Sequence, residues 1–238
     1  MSTALRALGR QEGCTLYMTL LAGLQALLSH YGDDDVCVGT PVAGRVRREI
    51  ENLIGFFAIT LVIRTDLSGS PGFRTLLGRV REAALGAYAH QDLPFARLVS
   101  ALRPDCGPGE MPLFQVVFEL EHARARQETL RLPAVAPSPL GRSPKDRQTL
   151  RSELRLTMSD DGTNVGGSLV YRTELFDSAT IERMIGDYLA LLEGAVADPD
   201  RPVAELFSSG TRDSTPLPGP EPTAAALGSG PGSTYTAP

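Results

Sequence analysis

The chain contains no tryptophan, three histidines, three cysteines and a single lysine, Lys145. Each scarcity closes off a class of function. Cys14, Cys37 and Cys106 are far apart and odd in number, so neither a disulfide framework nor a CxxC-type zinc site fits. Reduced structural thiols in a reducing compartment are expected. Positive charge is almost entirely arginine and forms no basic cluster, which reads as a GC-rich, bacterial coding sequence and not as phosphate recognition. With a formal net charge of −5 and a pI near 5.3, the chain is a poor nucleic-acid ligand. No apolar run approaches the roughly 20 residues that cross a bilayer. The polar start, MSTALRALGRQEG, lacks a signal-peptide core, so no membrane and a cytoplasmic location are expected. GxxxxGK[ST], GxGxxG after a strand, HExxH and GxSxG are all missing. Three adjacent carboxylates, Asp33–Asp35, lack the alternation and later Glu of an EF-hand and read as a solvated turn.

What is present is periodic. The spacing predicts a helix over 3–12 and a second from Thr15, an N-cap, to Gly32, a C′ glycine. VCVGTPVAG (36–44) reads as a buried strand running into a turn. IGFFAITLVIRTDL (54–67) is the most strand-like stretch, and its continuous apolarity predicts a central strand covered on both faces. A helix follows over 71–89, with Ser70 as cap and Pro71 in its first turn; Phe73, Leu76, Leu77, Val80, Ala84 and Tyr88 form its stripe. A short helix at 94–101, a strand at 113–121, a hairpin at 153–173 and a helix at 178–197 capped by Asp177 complete the pattern. Residues 122–152 read as a long crossover or mobile loop. From 208 the chain is rich in Pro and Gly and is expected to be disordered. The fold class is α/β, a mixed sheet with flanking helices in one domain over 1–207, followed by the 208–238 tail.

His90 is the histidine in the most informative setting, AYAHQDLPF (87–95). One reading makes it a general base near neutral pH. The favoured reading makes it the end of the 71–89 helix, where a histidine meets the exposed carbonyls. Gln91 and Asp92 would then tie the connection to backbone groups, and Pro94 would open the next helix. His30 reads as a solvated helix-end histidine and His122 as a strand-end surface histidine.

VCVGTPVAGR, IGFFAITLVIRTDL, AYAHQDLPF, MPLFQVVFEL and SLVYRTELFDSATIERM occur together and in this order. In this they resemble the C-terminal half of the condensation domain of nonribosomal peptide synthetases. The resemblance covers about 3–207. It implies one lobe of a chloramphenicol acetyltransferase-like (CoA-dependent acyltransferase) fold. The family reaction joins acyl or peptidyl and aminoacyl thioesters, both carried on phosphopantetheine arms of carrier proteins, at an HHxxxDG motif of the N-terminal lobe. This chain has no HHxxxDG and no two adjacent histidines. The resemblance therefore implies no catalytic residue, bound cofactor or metal here, and a chain inactive alone. It implies a tunnel or lobe-support role for Gly55, Phe57, Thr60, Arg64, His90, Gln91, Asp92, Pro94 and Phe95. Ile59 replaces the family's usual Asn, the RDxSRNPL-like stretch survives only as MPL (111–113), and Glu153 stands at the acidic position before the hairpin. Expected partners are carrier proteins and an N-terminal lobe, or a second copy through an exposed apolar face. The alternatives are a non-catalytic carrier-binding or scaffolding module, and a self-sufficient acyltransferase using His90 and Asp92.

Overall fold

The computed structural model describes residues 1–45, 48–102, 112–122 and 152–207, together with the backbone of 233–237. Helix α1 (Ser2–Gln11) leads into α2 (Leu16–Tyr31), whose start is fixed by the Thr15 hydroxyl accepting the Met18 N–H at 3.2 Å. Every residue of α2 from Met18 onward is buried, because its leucines and alanines present apolar surface all round. Gly32 ends α2 as expected, but at φ −154°, so it is not the left-handed C′ glycine. Strand β1 (Asp35–Val42) follows, then a short helix α3 (Arg48–Glu51), β2 (Ile59–Asp66), α4 (Phe73–Ala89) and α5 (Phe95–Leu102). Strands β3 (Val116–His122), β4 (Leu154–Asp160) and β5 (Val165–Tyr171) precede helix α6 (Ser178–Ala197). The sheet is mixed, in the order β2-β1-β3-β4-β5-β6, with β1, β3 and β4 parallel and the remaining pairs antiparallel.

Helix α2 touches α1, α4 and α6, and these helices cover one face of the sheet. The predicted α4 stripe is buried from Phe73 to Ala84, with Tyr88 half-buried. The α6 bounds and cap also stand as read, the Asp177 carboxylate accepting the Thr180 N–H at 2.6 Å. Several polar groups within this layer find partners inside it. Gln25 donates to the Ile63 carbonyl, Tyr188 to the Leu20 carbonyl, and Tyr31 to Asp187 at 2.6 Å.

Further expectations are corrected. His30 is not solvated: it is buried and stacks on Phe207 with ring centroids 3.9 Å apart. Strand β2 is not central: it is an outer strand of the described sheet, its buried residues alternate, and 54–58 lie outside it. The long apolar run is thus a one-faced strand preceded by an open segment. Helix α4 starts two residues late, at Phe73, with Gly72 and not Ser70 before it. The cause is that Pro71 and Gly72 pair with the later chain, the Pro71 carbonyl accepting the Val203 N–H at 3.0 Å. Helix α5 runs one residue later than predicted and has no fully buried side chain. Within the tail expected to be disordered, Ser233–Ala237 forms β6, antiparallel to β5. Thr234, Tyr235 and Thr236 are residue types that favour strands, and β5 offers them an edge. The predicted crossover lies outside the described residues but for its two ends.

Candidate functional site

Strand alternation sends Leu61, Ile63 and Thr65 of β2 to the helix-covered face, and Thr60, Val62 and Arg64 to the other. On β1 the same rule puts Val36 and Val38 in the main core and Cys37 and Gly39 opposite. That second face has its own small buried centre. A Cβ on Gly39 would lie 2.3 Å from the Phe114 ring, so only glycine admits Phe114 there. Phe114 is fully buried, and Phe95 of α5 packs on it with ring centroids 5.6 Å apart.

The AYAHQDLPF stretch carries the chain from one face to the other. His90 is the residue after α4; its N–H donates to the Ala87 carbonyl and its carbonyl accepts the Leu93 N–H. The Gln91 N–H donates to Tyr88, and the Pro94 carbonyl accepts from Arg97 and Leu98 at the start of α5. This matches the helix-end reading of His90. The expected anchoring by Gln91 and Asp92 side chains is not seen: among the described residues they make no hydrogen bond, and the connection is held by backbone alone. His90 and Asp92 are both exposed and not hydrogen-bonded to each other, so they form no acid–base pair. Among the described residues no group of three or more His, Cys, Asp or Glu side chains could hold a metal ion.

The structure places Thr60 on the second face of β2, and α5, whose Phe95 packs on Phe114, meets β2. Arg64 lies elsewhere. It sits four residues along β2 from Thr60, about 13 Å, and its guanidinium grips both Asp35 oxygens at 2.8 and 2.6 Å. That pairing holds the Asp35 carboxyl below its usual range. Gly55 and Phe57 belong to the open segment before β2, with the Arg45 guanidinium 4.5 Å from the Phe57 ring centre. Ile59 is half-buried and pairs with Val42, leaving an apolar group where an amide was usual. Glu153 stands before β4, its N–H donating to the Gln115 carbonyl and its carbonyl accepting the Arg172 N–H. Burial pushes its carboxyl up, against the nearby Arg172 charge. Cys14 and Cys37 are free thiols pushed up by burial, as inert structural cysteines are. Cys106 lies outside the described residues. Sequence reasoning missed Arg45, Gly39 and Phe114; a glycine inside a strand was the one available signal.

A mixed sheet with helices on one face, completed by a small aromatic centre on the other, is one lobe of the chloramphenicol acetyltransferase-like fold. Residues 1–216 match the Condensation domain family, and the chain belongs to that family. It is similar to a component of the linear gramicidin synthase of Brevibacillus parabrevis, 46% identical over 85% of this chain and 4% of that synthase polypeptide. It is also 41% identical to malpinin synthetase of Mortierella alpina, over 89% of this chain and 3% of that protein. The chain thus spans only a few per cent of the curated relatives it matches. Among solved structures it resembles holo-AB3403, a four-domain nonribosomal peptide synthetase bound to AMP and glycine, with TM-score 0.74, 27% identity and coverage of 86% of this chain and 16% of that one. It also resembles the X-domain of teicoplanin biosynthesis in complex with OxyB, with TM-score 0.72, 26% identity and coverage of 85% and 44%. Among the described residues no helix is long and apolar enough to cross a membrane.

Proposed function

We propose that this chain is the C-terminal half of a condensation domain, occupying residues 1–207, and that it forms amide bonds only when completed by a half bearing HHxxxDG. The observation that carries this is a family match across 1–216 in a sequence without two adjacent histidines. Solved chains of the same fold are about twice as long as the region shared with this one, whose coverage of them is 44% and 46%. On this reading the donor and acceptor are acyl or peptidyl and aminoacyl thioesters on phosphopantetheine arms of carrier proteins. The chain binds no cofactor of its own and works in the cytoplasm. Gly55, Phe57, Thr60, Pro94 and Phe95 shape the wall of the site, His90, Gln91 and Asp92 form the turn that delivers α5 to it, and Arg64 braces the far end of β2. A bacterial source rests on the arginine-rich composition.

The test mixes the chain with a separately produced HHxxxDG-bearing half and two loaded carrier proteins, and follows the amide product by mass spectrometry. Product is expected only with both halves present, and is lost when the second histidine of the partner motif becomes alanine. Product from this chain alone, or none from the pair, would overturn the reading.

A second reading is favoured by the likeness to the X-domain, solved in complex with another protein, OxyB. Here the chain is a non-catalytic module that recruits carrier proteins or another enzyme. Binding of a phosphopantetheinylated carrier without turnover in the two-half assay would select it.

A further inference from the structure

Without β6, the sheet would end in β2 on one side and β5 on the other, and these two strands are unlike. β2 carries Arg64 and Asp66, both exposed, charges of the kind that keep a sheet edge from pairing with another chain. β5 reads Val-Gly-Gly-Ser-Leu-Val-Tyr from 165 to 171, with no charge and no proline. It is also firmly seated. Seven residue pairs tie it to β4, and Leu169 and Tyr171 are buried in the main core. Its free edge is thus a fixed row of backbone donors and acceptors, with nothing in its side chains to turn a strand away. β6 fills that row through five pairs, from Gly167 with Ala237 to Tyr171 with Ser233. Its hold elsewhere is slight. It is five residues long, and among the described elements β5 is the one it broadly meets. A strand paired along one edge with no further layer is marginal in water, and such terminal segments open at little cost.

We infer that the outer edge of β5 is a strand-binding site for an extended, uncharged peptide rich in β-branched and aromatic residues, and that 233–237 is its built-in, exchangeable occupant. Three observations choose that ligand. The segment seated there, Ser-Thr-Tyr-Thr-Ala, is uncharged throughout. Its register sets Tyr235 opposite Leu169 and Thr234 opposite Val170, and aromatic and β-branched residues are the types that pair best across strands. The cover falls on the uncharged outer strand, while among the described residues no strand pairs with the outer edge of the charged one. Main-chain hydrogen bonds supply the affinity, so a segment of another polypeptide with this chemistry takes the same five positions when the tail leaves. None of residues 165–171 or 233–237 belongs to the candidate site, so the inference stands apart from the reading of the chain as half a domain.

The probe is a fluorescein-labelled synthetic peptide of residues 231–238, followed by anisotropy against the full chain. In a Tyr235→Pro chain the tail cannot pair, so the edge is open. That variant is expected to bind the peptide at least about 10-fold more tightly than wild type, whose tethered tail competes for the same row. Two further peptides are methylated on the backbone nitrogen of Tyr235 or of Thr236. Alternate N–H groups of an antiparallel edge strand point at the partner, so one of these peptides should lose about 10-fold and the other bind like the unmodified one. The melting midpoint of Tyr235→Pro should stay at the wild-type value, and amide exchange should show 233–237 losing protection while the β4–β5 pairs keep theirs. The inference is overturned if the variant takes up the peptide no better than wild type, or if the two methylated peptides bind alike. A large fall in the melting midpoint would overturn it too, by making the tail part of the fold. So would a wild-type dimer in ultracentrifugation that Tyr235→Pro turns into a monomer, since the tail would then be filling the edge of a second copy.

Discussion

The two faces of the sheet are built on different terms. The helix-covered face is a continuous dry core in which α2 is enclosed on all sides and each strand contributes alternate apolar residues. Among the described residues the opposite face has one aromatic contact, Phe95 on buried Phe114 over Gly39, a buried Val117, and half-covered residues that include Glu119 and Arg155, 3.9 Å apart. Burial pushes the Glu119 carboxyl up there, with Arg155 acting against it. The first face secures the fold. The second is left available, and its aromatic centre positions a helix without enclosing it.

That division can be broken by substitution. Phe118 is fully buried on the helix-covered face, and Phe118→Ala should cost about 3–5 kcal/mol, read from denaturant midpoints. Phe56→Ala, an equal truncation in the open segment, should stay within about 0.5 kcal/mol; equal losses at the two would erase the contrast. Tyr31→Phe should cost about 1–3 kcal/mol, because Asp187 is left buried without its donor. Burial first, and that hydrogen bond second, push the Tyr31 hydroxyl up to about 12. Phe95→Ala on the second face should cost about 1–2 kcal/mol and loosen α5, seen as faster amide exchange over 95–102.

A smaller effect is acid-linked. The Thr180 N–H holds the Asp177 carboxyl below its usual range. The folded pKa is lowered, so the contribution is complete above the unfolded value, about 3.9, and is lost as pH falls through the folded one. Asp177→Asn keeps a capping oxygen but cannot titrate, so its deficit against wild type should shrink as pH drops below about 4. The smallest change expected is none: His90→Ala should leave both the unfolding midpoint and the two-half amide rate unaltered, and a large loss of rate would return His90 to the chemistry.

What the sequence displays well is burial against its own chain. The α6 helix, its Asp177 cap and the Thr15 cap of α2 follow from local chemistry that needs no tertiary information. The β2 region shows the limit. Hydrophobicity at 54–67 reports that a surface avoids water, but not which molecule covers it, so an open segment and an outer strand read together as one central strand. The α4 start moved because Pro71 and Gly72 pair with residues around 202, a contact no local pattern carries. Arg45 was hidden for a similar reason: it grips the backbone carbonyls of Ile50 and Glu51, which look the same whatever residues bear them. The candidate motif residues were legible as a group through family likeness, yet the structure divides them between a turn, a wall and a distant brace at Arg64.

The parallel pairing of β3 with β4 has a kinetic consequence. These neighbours are separated by residues 123–153, whereas β1, β2 and α4 assemble from nearly contiguous chain. Contact order therefore rises at this join, as it does at the β1–β3 join, where Val38 pairs with Val116. Closing so long a segment adds only slowly to the thermodynamic cost, about 0.6 kcal/mol per doubling, but it delays the search. The β4–β5 hairpin and α6 should thus be the last portion to dock during refolding, and pulse-labelled exchange would show their amides protected after those of β1, β2 and α4.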